Sequence, residues 1–328
     1  MTMRDFRTNG SRQSIPNRTQ RMDHLSKRRN IFFNLLLYSL LIALPAFLDI
    51  SCRKAPSPVP DGGEEPEVVD STLTVLHLQN SSRYAVEDVQ ILIYKSDGTR
   101  ELEQLLRLDE FTETVEVVTT EGEKLVAAVA NCGKALSPVA LGRYDSLSEF
   151  GYDFSDENCE APVMSGECRT RGNKGEISLV PLLCEVVIES VANCLDENYE
   201  LVENPRVRLT GISGYAGVMQ DSDFFPTEIQ DRGEWTDLPY DIGMLTQNPG
   251  TTLYCYPNET PESSLGSSRT VLEFECEIFG RVCSFEIPLP PFGRGARLLV
   301  ELEVFSQEDC QSRISVERPT AQGARPTE

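Results

Sequence analysis

Histidine is the side chain that most often works as a general base near neutral pH. This chain of 328 residues has two histidines. His24 lies in a segment that we expect to be removed, and His77 has the same strand parity as Leu73 and Val75, as expected for an imidazole packed on a sheet. The motifs GxSxG, HExxH, GxGxxG and the P-loop are absent from the sequence. We therefore predict no catalytic residues and expect that the protein is not an enzyme.

Carboxylates are abundant and cluster in two places, Asp153 to Glu160 and Asp221 to Asp223. Paired carboxylates hydrolyse glycosidic bonds, and oxygen-rich loops bind hard cations such as calcium. The spacing lacks the central glycine of an EF-hand loop. Solvated acidic loops explain the clusters, and we expect no cofactor and no metal site. A surface glycoside hydrolase with a carboxylate pair stays open as an alternative.

Cysteines occur ten times, and nine of them follow Cys52. Zinc sites use thiols paired at tight CxxC spacing, often together with histidine. None of the cysteines has that spacing, so we predict no zinc site. Nine is odd, so at least one thiol is free or pairs between chains if the others are oxidised. The sequence does not determine the pairing of Cys132, Cys159, Cys168, Cys184, Cys194, Cys255, Cys276, Cys283 and Cys310.

The formal net charge is −22. The first 51 residues are rich in Lys and Arg, so the remainder of the chain is even more acidic than this total. An acidic protein repels the phosphates of nucleic acids and the headgroups of anionic lipids. Nucleic-acid binding is therefore excluded.

The N-terminus has the pattern of a secretory signal. The basic run Lys27-Arg28-Arg29 precedes the apolar segment Ile31–Leu48, which a small residue and Cys52 follow. Ser51-Cys52 resembles a bacterial lipobox, although Asp49 departs from it. We predict a lipoprotein signal peptide over residues 1–51 and a lipid on the Cys52 thiol; a retained transmembrane anchor is the alternative. The true start is Met1 or Met22.

A tether follows over residues 52–70, rich in Pro, Gly and acidic residues and without a hydrophobic period. Its acidic residues resemble the surface-export signal of Bacteroidota lipoproteins, and a plain linker is the alternative. These features predict a surface-exposed lipoprotein of the bacterial outer membrane. The acidic residues are Asp61, Glu64, Glu65 and Glu67.

Short apolar or alternating runs with turn residues between them recur every 10–20 residues or so, which is typical of β-sandwiches. One helix is expected within Ala135–Phe154, one long strand over 177–191 with Pro181 as a kink or at an edge, and a hairpin turn at Gly280-Arg281. We predict an all-β fold with an N-terminal β-sandwich over 71–175, a C-terminal β-sandwich over 176–305, and a polar disordered tail over 306–328.

Four runs together resemble the fimbrillin and fimbrial anchor proteins of Bacteroidales, of the major- and minor-fimbrium type. They are VQILIY followed by Ser96-Asp97-Gly98, LVAAVANCG from Leu125 to Gly133, PVMSG from Pro162 to Gly166, and LYCYPNET from Leu253 to Thr260. The resemblance implies two tandem transthyretin-like β-sandwich domains in an exported lipoprotein. It also implies strand exchange with other fimbrial subunits, in which an incoming strand completes a sheet.

Stalk subunits of that family lose their first strand to a protease that cuts after Arg or Lys, and here Arg83 follows the first predicted strand. An ordinary loop arginine is the alternative. The polar tail departs from a stalk subunit, which favours an accessory, anchor or tip subunit. The resemblance implies a donor or acceptor strand formed by Arg297, Leu298, Leu299, Val300, Leu302 and Val304.

A second hypothesis is a free-standing lipoprotein that binds a glycan or a host protein. Its site would be the aromatic loop Phe224, Phe225, Trp235 and Tyr240, because sugars stack on exposed rings. Packing between sheets is the alternative role for these four residues.

Overall fold

The computed structural model describes residues 70–196, 200–226, 228–263 and 268–319. The described residues belong to one compact unit. The predicted signal peptide, the lipidation site Cys52, nearly all of the tether and residues 320–328 lie outside the described residues. The described chain is nearly all β, as predicted, with several sheets and little helix.

The first sheet contains seven strands in the order β3-β2-β5-β7-β8-β1-β4. β1 lies between β8, to which it runs parallel, and β4, to which it runs antiparallel. The bounds are β1 Ser71–Asn80, β2 Val89–Lys95, β3 Leu102–Leu108, β4 Thr114–Thr120, β5 Lys124–Ala130, β7 Met164–Arg169 and β8 Lys174–Pro181.

β2 and β5 are almost completely buried, as their continuous apolar sequences predict. Successive side chains of a strand point to opposite faces of the sheet. Ile91 and Ala128 therefore pack in one core with β1, β4 and β8, whereas Leu92 and Ala127 pack in a second core on the other face. This arrangement makes β2 and β5 the middle layer of the N-terminal half.

The two edges of the seven-stranded sheet are joined by side chains. Gln104 Nε2, in β3, donates to Val118 O, in β4, over 2.9 Å, and Thr120 Oγ1 donates to Glu103 Oε2 over 2.9 Å. The buried ammonium of Lys124 lies 2.9 Å from the same carboxylate oxygen. Side-chain hydrogen bonds thus cover an edge that would otherwise be open.

The second core covers the outer face of β2 and β5. It receives Leu147 from the short helix α1, Tyr144–Ser148, together with Val218, Phe224 and Tyr256 from later in the chain. The predicted helix within Ala135–Phe154 is therefore present, although it is short. A small sheet pairs β6, Gly151–Asp153, with β11, Tyr215–Gly217, and so joins the two halves of the chain.

The C-terminal half packs two sheets around the third core. One sheet has the order β12-β10-β15-β16, with β13 also paired to β10, and the other has the order β14-β9-β17-β18. The bounds are β9 Cys184–Asn193, β10 Glu203–Ser213, β12 Ile229–Arg232, β13 Thr236–Asp237, β14 Thr251–Cys255, β15 Val271–Ile278, β16 Arg281–Pro288, β17 Arg297–Val304 and β18 Cys310–Glu317.

Three details differ from the sequence-based expectations. The single strand expected over 177–191 is two strands, because β8 ends at Pro181 and β9 starts at Cys184. The boundary predicted between residues 175 and 176 falls inside β8, which belongs to the first sheet. The hairpin turn lies at Phe279-Gly280, one residue earlier than expected, and both residues have the positive φ that a type I′ turn requires.

The tail prediction is wrong for Cys310–Glu317, which forms β18. β18 pairs antiparallel with β17 along its whole length, and Cys310 and Ile314 pack on the third core. The sequence gives little indication of this strand because its other side chains are polar or exposed. Pairing with β17 satisfies its backbone without a strong apolar pattern.

Candidate functional site

The predicted cleavage site lies in a compact loop directly after β1. Asn80 Nδ2 donates to Tyr84 O over 2.8 Å, and the Ser82 N–H donates to Asn80 Oδ1 over 2.9 Å. These bonds wind the chain into a tight turn, as Asn side chains often do. Arg83 is exposed on the outside of this turn. The structure thus places the predicted cut where the strand leaves the sheet.

The loop is attached to Glu185 at the start of β9. The guanidinium of Arg83 donates to Glu185 Oε2 over 2.6 Å, and the Tyr84 hydroxyl donates to Glu185 Oε1. Burial, together with this hydrogen bond, raises the pKa of Tyr84. The Glu185 side chain is only 7% exposed, so these donors take the place of the water that would surround a surface carboxylate.

Two further charges extend the contact to the end of the described chain. Arg297 Nε lies 3.5 Å from Glu185 Oε2, and Arg297 Nη1 lies 3.5 Å from Glu317 Oε2. Four side chains in alternating charge order therefore link the loop after β1 with β9, β17 and β18. We name this group of four side chains, Arg83, Glu185, Arg297 and Glu317, the junction cluster. It borders a cavity of about 260 Å³.

The strand that the resemblance implies, Arg297–Val304, is β17, an interior strand. It pairs parallel with β9 and antiparallel with β18. Leu298, Val300, Leu302 and Val304 are fully buried and Leu299 is partly buried. Removing β17 would break two ladders and open the core. β18, by contrast, lies at the edge of its sheet and is mostly exposed.

The aromatic residues of the second hypothesis do not form one platform. Phe224 is buried in the second core, whereas Phe225 and Tyr240 are exposed. The ring of Trp235 lies over the guanidinium carbons of Arg206 and Arg208, 4.7 Å and 4.2 Å from its centroid. These arginines in turn pair with Glu275 and Glu273 of β15. Trp235 is therefore held by its own sheet as part of a charged outer face.

Two other residues singled out in the sequence, His77 and Glu157, have hydrogen-bond partners within the fold. His77 Nδ1 lies 3.2 Å from Thr114 Oγ1 across the β1–β4 pair. Glu157 accepts hydrogen bonds from the Val163 N–H and the Tyr256 hydroxyl, each over 2.7 Å. Within the described ranges, no group of three or more His, Cys, Asp or Glu side chains is arranged to hold a metal ion.

The nine cysteines after Cys52 are all free thiols in the structure. Several are deep in the cores; Cys184 and Cys255, for example, are fully buried. Burial raises the pKa of Cys184 to about 12 and that of Cys276 to about 12. These two thiols therefore behave as small hydrophobic side chains and are poor nucleophiles.

One buried charge that the sequence did not reveal fixes the two halves together. The guanidinium of Arg294, before β17, donates to Val218 O over 3.3 Å, to Gln220 O over 3.2 Å, to Ser165 Oγ over 2.8 Å and to Val180 O. Ser165 and Val180 belong to the first sheet. The only sequence signal is the pair of glycines on either side of Arg294, which gives the backbone room.

The described part of the chain contains no helix with the length and hydropathy needed to cross a bilayer. No protein-family model matches the sequence, and no curated protein matches it at a significant level.

Solved structures do match the fold. A cell adhesion protein from Parabacteroides distasonis aligns with a TM-score of 0.56 and 11% identity, over 75% of this chain and 95% of that one. A fimbrilin from Porphyromonas gingivalis gives a TM-score of 0.56 and 9% identity, over 74% and 96%. The chain has the fold of these proteins.

A C-terminally truncated tip fimbrial protein from Porphyromonas gingivalis also has this fold. It aligns with a TM-score of 0.53 and 10% identity, over 75% of this chain and 99% of that one. The matched portion is thus nearly the whole of each solved chain. The all-β sandwich fold that the four sequence runs imply is confirmed at the level of structure.

Proposed function

We propose that the protein is an accessory, anchor or tip subunit of a bacterial surface fimbrium. The observation that carries this proposal is the fold similarity, which covers at least 95% of an adhesion protein, a fimbrilin and a tip fimbrial protein. The proposal includes the cell surface as location, with Cys52 as the lipid attachment site in the outer membrane. Residues 52–70 then act as a tether between the membrane and β1.

The partners in this proposal are other fimbrial subunits, joined by strand exchange. β18 supports such pairing because its outer edge is unpaired within the described residues and its strand neighbour is β17 alone. An edge strand offers free N–H and C=O groups to an incoming chain. We therefore propose β18 as the exchanged strand in preference to Arg297–Val304, whose side chains build the core.

Whether β1 is kept or is removed by cleavage decides which kind of subunit the chain would be. A subunit that keeps β1 has no vacant place between β8 and β4, so it offers no site there for a donor strand. Cleavage after Arg83 would free residues 71–83 and open that place. An uncut chain would therefore occupy one end of a filament, as an anchor or tip does, whereas a cut chain would join the stalk.

Mass spectrometry on filaments sheared from native cells tests this proposal. We expect the chain in the filaments, with an acylated N-terminal peptide that starts at Cys52. A peptide that starts at Tyr84 would assign it to the stalk instead. Recovery only in the membrane fraction, without other fimbrial proteins, would contradict the fimbrial role and favour a free-standing lipoprotein.

The matched control for the anchor is a Cys52→Ala chain. It should leave the membrane fraction, because a single thiol carries the lipid in this proposal. Retention of that variant in the membrane would contradict the lipid anchor without bearing on the fold or on filament assembly.

A further inference from the structure

The end of the C-terminal half that lies opposite the junction cluster is rich in exposed apolar side chains. Thirteen large hydrophobic side chains are exposed among the described residues, and seven of them lie at this end. Clusters of this kind mark interaction sites more often than single exposed residues do. We name these seven the apolar end: Leu201, Tyr240, Met244, Leu245, Phe279, Val282 and Phe305.

Strand register brings these residues to one end of the sandwich. Val304 pairs with both Asn193 and Cys310, so β9 and β17 finish where β18 begins. Asn193 Nδ2 then donates to Glu200 O over 2.8 Å and to Ile242 O over 3.1 Å. These bonds attach the segments that carry Leu201, Met244 and Leu245 to the end of β9.

A second set of contacts brings in the β15–β16 turn. Gln307 Nε2, in the turn between β17 and β18, donates to Ile278 O over 2.9 Å. Phe279 and Phe305 thereby line a shallow cavity of about 440 Å³, together with Leu195 and Asp196. The two turns and the end of β9 thus form one continuous surface.

Phe279 occupies a backbone position that disfavours a large side chain. Its φ is 54°, in the left-handed region, and it is the first residue of a type I′ turn where Asn, Asp or Gly is usual. A bulky residue with positive φ is uncommon and carries strain. The turn would form more easily with Asn. Formation of the hairpin therefore does not explain why an aromatic side chain stands at this exposed turn.

The apolar end is surrounded by negative charge. The described residues of its five segments, 191–196, 200–204, 240–247, 277–283 and 303–311, contain one cation, Arg281, which contacts Gln307. None of the acidic residues in these segments is buried. They are Asp196, Glu200, Glu203, Asp241, Glu277, Glu303, Glu308 and Asp309.

We propose that the apolar end binds a basic, apolar segment of another protein. Apolar side chains of that segment would cover Phe279, Phe305 and Leu245, while its Lys or Arg side chains would meet the acidic rim. Charge complementarity of this kind directs the choice of partner and speeds association. The same acidic rim repels anionic lipids and nucleic acids. The inference does not depend on the fimbrial role, because it rests on this surface alone.

The test uses the purified full chain and a short fluorescent peptide of lysine, leucine and serine, with anisotropy as the measurement. We expect saturable binding that weakens with added salt, because exposed charges are screened. A peptide with glutamate in place of lysine should not bind. Equal binding of the two peptides, or competition by a neutral oligosaccharide, would overturn the proposal.

A variant that combines Phe279→Asn with Leu245→Ser should bind the lysine peptide about tenfold more weakly, as expected when central apolar contacts are lost. Asn tolerates the left-handed backbone, so the turn is retained, and thermal unfolding checks the fold. Val139→Ser is the matched control, since Val139 is 91% exposed outside the apolar end. Unchanged affinity of the double variant would overturn the proposal.

A second copy of the chain is the other occupant to test. Sedimentation velocity over a range of concentrations measures self-association of the wild-type chain and of the double variant. A monomer throughout is the expected result. If the wild-type chain forms dimers and the double variant does not, the assignment to a basic partner is overturned, because the apolar end would then bind a second copy of the chain.

Discussion

The guanidinium of Arg83 lies 2.6 Å from Glu185 Oε2, although 102 residues separate the two in sequence. The arginine side chain is 57% exposed and the carboxylate only 7%. An arginine-specific protease must bind that same guanidinium in its own acidic pocket, so Glu185 competes with the protease for Arg83. The bond whose cleavage would free β1 is therefore protected by the start of β9.

Glu185→Gln should speed cleavage after Arg83. A hydrogen bond to a charged group contributes roughly 1.5–3 kcal/mol, and partial exposure of Arg83 reduces that figure. We expect the initial rate with an arginine-specific protease to rise about threefold to tenfold, since each 1.4 kcal/mol is a factor of ten. The measurement is the appearance of the N-terminus at Tyr84 by mass spectrometry.

Glu189→Gln is the matched control, because Glu189 lies in the same strand but is exposed. Cleavage after Arg313, in β18, serves as an internal reference for general loosening of the fold. An equal rise at both arginines would show that the substitution acts on global stability and not on the Arg83 contact.

A chain that ends after Asp309, and so lacks β18, should still fold but, under the proposed fimbrial role, should no longer bind other subunits. Only Cys310 and Ile314 of β18 pack on the third core, so we expect a fall in Tm of several degrees and a single cooperative unfolding transition. Co-purification with other fimbrial subunits should be abolished. A chain that ends after Pro319 is the control and should behave as wild type. Normal co-purification without β18 would contradict its role in exchange.

Arg294→Met should destabilise the two halves together. The substitution removes a buried charge and takes away the guanidinium that donates to Val180 O and Gln220 O, while Val218 O still accepts from the Ser165 hydroxyl. We expect the free energy of unfolding in urea to fall by about 1–3 kcal/mol for each of these oxygens that finds no other donor. Arg313→Met, at an exposed arginine, should change it by less than about 0.5 kcal/mol. Two separate unfolding transitions, one for each half, would contradict a side chain that couples the two halves.

Glu157 should give the fold a measurable pH dependence. Burial raises its pKa, and hydrogen bonds from the Val163 N–H and the Tyr256 hydroxyl oppose that rise. A carboxyl whose folded pKa is raised stabilises the fold below its unfolded pKa of about 4.3, and this contribution is lost as pH rises through the folded pKa. Relative to Glu157→Gln, the wild type should therefore lose stability as the pH increases from acid to neutral.

Urea unfolding of both chains at several pH values measures this difference. Glu160→Gln is the control, because Glu160 is exposed and nearby. A pH profile of Glu157→Gln that is parallel to that of the wild type would show that the Glu157 carboxyl has the same pKa in the folded and unfolded states.

The elements that the sequence predicted well have strong local patterns. The runs VQILIY and LVAAVAN are apolar throughout and form the doubly covered strands β2 and β5, and strict alternation marks β15 and β16. β18 was missed because few of its side chains are apolar and it depends on pairing with β17. No local pattern identifies Arg83 as the partner of Glu185. The position of this carboxylate within an apolar run indicates only that it has some partner inside the fold.

Consider a pull on Asp70, directed away from the body along the axis of β1. β1 is held by a ladder to β4 over residues 71–77 and by a ladder to β8 over residues 75–80, which together cover its length. A load in that direction shears both ladders at once, so many hydrogen bonds must break together before the strand slips. The arrangement resists tension far better than a strand peeled from one end. If Cys52 anchors the chain, the first strand is also the mechanical link that bears the drag on whatever the protein holds.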